Sequence, residues 1–342
     1  MLAWARDARR VVVVGGGLLG LEAARGLLEH GLDVLVVHRA PRLMNLQLDA
    51  EAAAMLRQNV EELGIRVRLE ASATALLGHA GVDGLELSDG TRLACDMVVF
   101  ATGIQPNTQL AARAGLEVDR GILVDDAMRS IGSENIYAIG ECAQHRGRVH
   151  GLLAPAWEQA TVVADRLTGA DPHASYHGSK AATKLKVSGV ELATMGIVEP
   201  EHERDEVVRY SEPTRRIYKS VIVRDGKLIG AILLGDLSRT PFLTQALDHG
   251  TALPEERASL LFDLGRRSGE VGVDEMPQDA HVCDCNGVSK ADIQACVAAG
   301  KTTIREIAAT TRAGTGCGSC TDRVLQVVQS ASSENHPTRA AA

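Results

Sequence analysis

The sequence predicts an α/β chain: a parallel, glycine-loop sheet first, a smaller α/β unit behind it, and a small helical unit with paired cysteines at the end. Three observations point there. An apolar strand near the amino terminus runs straight into glycine-spaced residues and a helix. Apolar strands separated by glycine turns recur through the middle, and two close cysteine pairs flank two short helices near the carboxyl terminus. At 342 residues the chain can hold two or three domains. Its 34 glycines against 3% aromatic residues suit a nucleotide-binding sheet, and a formal net charge of −8 without a basic tract argues against a nucleic-acid partner. Val11–Leu21 is apolar but short and broken by glycines, so neither a secretory leader nor a membrane span is expected. Cysteines at thiolate spacing fit a reducing cytoplasm.

Val11–Val14 is a continuous apolar run, as a strand covered on both faces requires. It leads into Gly15, Gly17 and Gly20, then into a helix expected over Leu21–His30 and a second strand over Asp33–Val37. This is G-x-G-x-x-G between strand and helix. Gly15 permits the tight turn, Gly17 lets backbone approach a pyrophosphate, and Gly20 allows close helix–strand packing, with the phosphates at the helix N-terminus. A Rossmann-like NAD(P)-binding domain is therefore expected over 1–100; a glycine turn that serves packing alone is the bland alternative. An acid at the end of the second strand would accept from a ribose 2′-hydroxyl, but His38 and Arg39 stand there instead. That counts against FAD in this loop and leaves NADPH, or a permissive NAD(P)H site. Arg39 and Arg42 could pair with a 2′-phosphate or could simply be solvated.

Asp49 is expected to cap a helix over Ala50–Leu63 whose single apolar face marks it as scaffold. Strands near Ile65–Glu70, Gly84–Leu87 and Met97–Phe100 complete the unit, with Cys95 as packing. The last of these strands enters Ala101, Thr102 and Gly103, and a later apolar stretch ends at Gly140 and Glu141. With these segments the chain resembles the two-dinucleotide-domain flavoprotein reductases: glutathione-reductase-like enzymes, rubredoxin reductases and the nitrite reductase large subunit. The resemblance implies that Ala101, Thr102 and Gly103 close the nicotinamide domain. It implies that 101–170 is the C-terminal part of an FAD-binding domain, where Gly140 and Glu141 meet the flavin's ribityl-phosphate part. The helix opening at Leu153 would then begin near the isoalloxazine ring. In that family an earlier glycine loop holds the ADP part of FAD; Met1 stands just ahead of Val11 here, so that half is expected to be absent or on another chain.

Residues 175–262 read as a small α/β domain with strands across Lys180–Val198, Val207–Val223 and Leu228–Leu234, then a helix over Thr240–His249. It resembles the corresponding nitrite reductase domain, with packing and homodimer formation as its expected role. A linker is expected from Leu260 to Gly272.

Cys283 and Cys285, then Cys317 and Cys320, form C-x-C and C-x-x-C. Four soft thiolates suit zinc or an iron–sulfur cluster. Glycines at 314, 316 and 318 leave backbone N–H groups free to approach sulfur. Between the pairs, Ser289 with Asp292 and Thr303 with Glu306 read as capping boxes. Residues 281–329 resemble the BFD-like [2Fe-2S] domain, which favours the cluster over zinc. The segment 330–342 is expected to be a disordered tail, Cys296 core, and His38, His145 and His150 surface residues.

Taken together, the resemblance implies a partial Rossmann-like flavoprotein with NAD(P)H, FAD and a [2Fe-2S] cluster. Hydride would pass to flavin, and electrons through the cluster to a nitrite or nitrate reductase centre. No catalytic acid–base pair is expected, because the cofactors carry the chemistry. The other reading is a non-catalytic redox sensor whose thiolates hold zinc or a cluster as a staple.

Overall fold

The computed structural model describes the chain apart from residues 180–181, 188, 252, 263–272, 274–275, 284–285, 316–319 and 335–342, and apart from the side chains of 182–184, 186, 249 and 333–334. Two compact units result: Met1–Gly103 with Lys180–Arg266, and Ile104–Ser179 with Arg267–Ala342.

In chain order the first unit opens with α1 (Leu2–Ala5), β1 (Arg10–Val14), α2 (Leu18–Glu29), β2 (Asp33–Val37), α3 (Ala50–Glu62), β3 (Arg66–Arg68), β4 (Ala73–Leu77), β5 (Gly84–Leu87), β6 (Arg92–Ala94) and β7 (Met97–Phe100). A parallel sheet runs in the order β3-β2-β1-β7, and β4, β5 and β6 form an antiparallel meander. The valine run of β1 alternates within this frame. Val11 and Val13 join the core that holds Leu21, Leu27 and Leu56 of the helices, whereas Val12 and Val14 join Leu85 and Leu87 of the meander. Each fully buried valine contributes about 1.5–3 kcal/mol. α2 begins three residues earlier than expected because Gly17, in an extended conformation, is its N-cap. Gly20 thus lies inside the first turn.

The next segment belongs to the second unit and contains α4 (Gln109–Arg113), β8 (Ile122–Val124), β9 (Ala143–His145), β10 (Arg148–Val149) and α5 (Leu153–Thr168). β8 and β9 are parallel and β10 pairs antiparallel with β9, over a small core that includes Met128, Ala143 and Tyr176.

The chain then returns to the first unit with β11 (Ala182–Val187), β12 (Val190–Gly196), β13 (Glu206–Glu212), β14 (Ile217–Arg224), β15 (Lys227–Leu234), α6 (Thr240–His249) and α7 (Ala258–Leu261). The five strands are antiparallel throughout, in the order β11-β12-β15-β14-β13. One face sends Leu192, Tyr218, Ile232 and Leu234 into the core of α2 and α3; the other is covered by Leu243 and Leu247 of α6 and Leu260 and Leu261 of α7.

β16 (His281–Cys283), β17 (Val288–Ser289), α8 (Lys290–Ala298), α9 (Ile304–Thr311) and α10 (Thr321–Glu334) follow. Both expected capping boxes are present, with the Ser289 and Thr303 side chains bonded to the Asp292 and Glu306 backbones and the acids reaching back. The expected disordered tail needs correction. α10 continues through Ser330 to Glu334, because Val324, Val327, Val328 and Ala331 carry a helical apolar stripe into the core. Residues 335–342 and most of the expected linker lie outside the described residues.

Candidate functional site

The glycine loop is sealed at one end by its own turn. Gly15 has φ +123°, and a Cβ there would meet the Ala101 carbonyl oxygen at 2.2 Å, so glycine is required both for conformation and for space. A Cβ on Gly20 would meet the Gly15 carbonyl oxygen at 1.8 Å, whereas one on Gly17 would meet nothing within 4 Å. Gly17 therefore caps α2 with an open flank, as backbone that receives a phosphate must. The Gly15 N–H donates to the Val37 carbonyl and the Ala101 N–H to the Val14 carbonyl, each at 2.8 Å. The loop, the end of β2 and the turn of Ala101, Thr102 and Gly103 thereby converge at the carboxyl ends of β1, β2 and β7, where doubly wound sheets bind ligands.

His38 is not a surface residue. Its Nδ1 accepts the Gly16 N–H at 3.1 Å, and its Nε2 lies 3.2 Å from Asn45 Oδ1. The ring is then the Nε2–H tautomer, and it must be neutral to accept at Nδ1. Burial disfavours its protonation, Asn45 works the other way, and Arg39 adds repulsion. The Gly16 carbonyl in turn accepts the Met44 N–H at 2.9 Å, so the segment after β2 clamps Gly16 on both sides. The spacing of His38 carried no signal for this fold-back.

Arg39 is exposed and forms no ion pair among the described residues. Arg42 is engaged instead: its Nη2 lies 2.7 Å from Glu199 Oε1, at the end of the strand pair that packs on α2 and α3. A buried anchor stands nearby in sequence. Asp49 caps α3 by accepting the Ala52 N–H at 2.9 Å and also accepts from the Tyr218 hydroxyl. Burial and then Asp49 push the Tyr218 phenol upward.

Gly140 and Glu141 belong to the second unit, in a 3₁₀ turn ahead of β9. Gly140 has φ +77°, and its N–H donates to Gln159 Oε1 at 2.7 Å; that glutamine is buried on α5. Gln159 thus fixes the turn to the helix, a role that its ordinary helical setting did not reveal. Glu141 is exposed. His145, expected at the surface, is buried, with Nε2 2.8 Å from Asp126 Oδ1 and its ring 4.9 Å from that of Tyr176. Arg146 and then His145 hold the Asp126 carboxyl down to about 2. His150 is half-buried beside Tyr176, because β10 folds back over the small core.

Cys283, at the end of β16, and Cys320, immediately ahead of α10, are buried in one core. Cys285 and Cys317 lie outside the described residues. Asn286 Nδ2 donates to the Arg312 carbonyl at 2.8 Å and approaches Cys283 Sγ at 3.7 Å. It links the first cysteine strand to the loop that leads toward the second pair. The donor set is soft, the sulfur of Cys283 has an N–H neighbour, and Cys320 sits at a helix N-terminus that favours thiolate. These residues fit a thiolate-held iron–sulfur cluster. Cys296 is core, as expected.

Comparison with known proteins finds three matching segments along the chain. Residues 2–163 match the pyridine nucleotide-disulphide oxidoreductase family, 182–251 the rubredoxin NAD+ reductase C-terminal domain, and 281–330 the BFD-like [2Fe-2S] binding domain. The chain thus carries one segment similar to the pyridine nucleotide-disulphide oxidoreductases and another similar to BFD-like [2Fe-2S] domains. The matched segments are of the kinds that bind NAD(P)H, FAD and a [2Fe-2S] cluster.

The chain is similar to a nitrite reductase [NAD(P)H] of Bacillus subtilis, 41% identical across 96% of this chain and 41% of the relative. The assimilatory nitrate reductase electron transfer subunit of the same organism is 35% identical over 94% of this chain and 41% of its own length. The chain thus spans about two fifths of the length of these relatives. A ferredoxin reductase from Rhodopseudomonas palustris shares the fold with a TM-score of 0.65 and 30% identity, covering 75% of this chain and 63% of the other. No helix among the described residues is long and apolar enough to cross a membrane.

Proposed function

We propose that this chain passes electrons from NAD(P)H toward a nitrite or nitrate reductase centre. One observation carries the proposal: a glycine loop sealed against Ala101 stands on the same polypeptide as cysteines buried in a BFD-like core. A flavin held beside Gly140 and Glu141 would supply the conversion of one two-electron hydride into single electrons, and a cluster held by the four cysteines would supply a one-electron relay.

The residues supply binding and geometry. Gly15, Gly17 and Gly20 bring α2's N-terminal N–H groups to the dinucleotide's pyrophosphate, with the helix dipole favouring its charge. Ala101, Thr102 and Gly103 line the same end of the sheet. In the division proposed here, residues 1–100 bind the nicotinamide nucleotide and 101–170 bear on the flavin. Gly140 offers backbone at a turn braced by Gln159, and Glu141 offers a carboxylate acceptor to the ribityl part. Of the expected domain at 175–262, β12, β14 and β15 brace α2 and α3 while Tyr176 joins the second unit's core, and 281–329 hold the cluster through Cys283, Cys285, Cys317 and Cys320. A homodimer and a cytoplasmic setting belong to the same proposal, as does a separate reductase subunit as electron acceptor, which the name of one relative supports.

Anaerobic titration with NAD(P)H tests the route. Visible bands of both flavin and cluster should bleach in the intact chain. In Cys283→Ser and Cys320→Ser the flavin band alone should bleach, and the slower loss of cluster absorbance should disappear. Bleaching of flavin with a full, unchanging cluster spectrum would contradict the route.

A further inference from the structure

We propose that Arg305 and Arg312, on the exposed face of α9, dock an acidic protein that takes electrons from this chain. The inference rests on the cysteines holding the cluster through which electrons leave. It deepens that reading by naming where the partner binds and what charge it carries.

Ile307 of α9 is fully buried in the core that holds Cys283 and Cys320. Residues 305, 309 and 312 lie on the opposite face, because steps of three, four and seven residues return to nearly the same side of a helix. All three are exposed. Arg305 and Arg312 thus stand two turns apart, about 10 Å along the axis, with the small Ala309 between them. Neither forms an ion pair among the described residues. Glu306, the acid of the same helix, accepts the Thr303 N–H at 3.1 Å and the Thr303 hydroxyl at 2.7 Å, which commits its carboxylate to the helix start. A third cation flanks the face: Lys301 Nζ donates to Thr310 Oγ1 at 2.9 Å, in the last turn of α9.

The backbone at Arg312 ties this face to the cysteines. Arg312 is the C-cap of α9 with φ +65°, the left-handed conformation that glycine takes without cost. An arginine held there against its own preference points to a use for its side chain. Its carbonyl accepts Asn286 Nδ2 at 2.8 Å, the Thr315 N–H at 3.1 Å and the Thr315 hydroxyl at 2.8 Å. Asn286 follows Cys285, and Thr315 stands two residues ahead of Cys317. The turn that carries the guanidinium is therefore bonded to both cysteine segments.

Charge selects the partner. The chain's formal net charge of −8 repels an acidic protein from most of its surface. Two guanidinium forks on one helix face suit carboxylates and decide which side such a protein meets. Contacts of this kind set orientation and encounter rate more than affinity, as a brief electron-transfer encounter requires.

Interferometry of the full, cofactor-loaded chain against two oxidised probes tests the face without turnover: cytochrome b5, an acidic one-electron acceptor, and cytochrome c, a basic one. Cytochrome b5 should bind at low ionic strength. Arg305→Glu and Arg312→Glu should each weaken that binding at least fivefold, and cytochrome c should bind both variants no more weakly than the unaltered chain. Arg113→Glu, at an exposed arginine of α4, should leave cytochrome b5 binding unchanged. Arg312→Gly should melt at a higher temperature than the unaltered chain and still lose the binding, which Arg312→Lys should recover. No cytochrome b5 binding by the unaltered chain would overturn the inference, as would binding that ignores both α9 arginines or falls equally with Arg113→Glu. The electron route fails separately. If NAD(P)H does not bleach both bands of the unaltered chain, the route is overturned and the docking face with it; normal bleaching with binding indifferent to Arg305 and Arg312 overturns the docking face alone.

Discussion

At His38 the ring must stay neutral for Nδ1 to accept the Gly16 N–H. Its protonation is disfavoured in the folded chain, chiefly by burial. The unfolded chain therefore binds the proton more readily, and stability rises with pH across this range. The contribution is full above the ordinary imidazole value of 6.5 and is lost as pH falls through that value toward the lower folded one. His38→Asn, whose Oδ1 can accept the same N–H, should keep the loop and lose the dependence. Thermal melts at about pH 7.5 and about 5.5 should show the larger drop in the unaltered chain. An equal drop in the variant, where His150 still titrates, would assign the effect elsewhere. Individual residues were legible where backbone chemistry demanded one type: Gly15 and Gly20 could be named from spacing because no side chain fits. His38, His145 and Gln159 were not. Their roles depend on where distant backbone turns arrive, and a side chain's own neighbours in sequence do not record that.

Elements were legible wherever an end signal and a period agreed. The capping boxes at Ser289 and Thr303 are such ends, and each satisfies N–H groups that the helix cannot. Ser289→Ala and Thr303→Ala should each cost about 1 kcal/mol. Because α8 and α9 share one core with Cys283 and Cys320, the double variant should lower the melting temperature more than either alone. Chemical denaturation of the three variants checks this, and wild-type stability in all of them would contradict the capping roles. β4 and β6 escaped notice because they are short and largely exposed, so neither carries an alternating pattern. The end of α10 escaped for the opposite reason. Its polar run of serines hid a stripe that Ala331, a small residue, was enough to extend.

At the scale of the whole molecule, the order of segments in the sequence is not their order in space. Residues from both sides of the second unit's first segment meet in one core, where Leu192, Tyr218 and Leu234 pack with α2 and α3. No local pattern announces that return; the valine run of β1 announced only that something must cover each face. What the cysteine spacing did announce was a thiolate site, and the BFD-like match makes the cluster the centre of the account. Metal analysis of anaerobically purified full-length chain tests it most directly. The account predicts iron and acid-labile sulfide in equal amounts, both lost together in Cys283→Ser. Stoichiometric zinc without sulfide would contradict it.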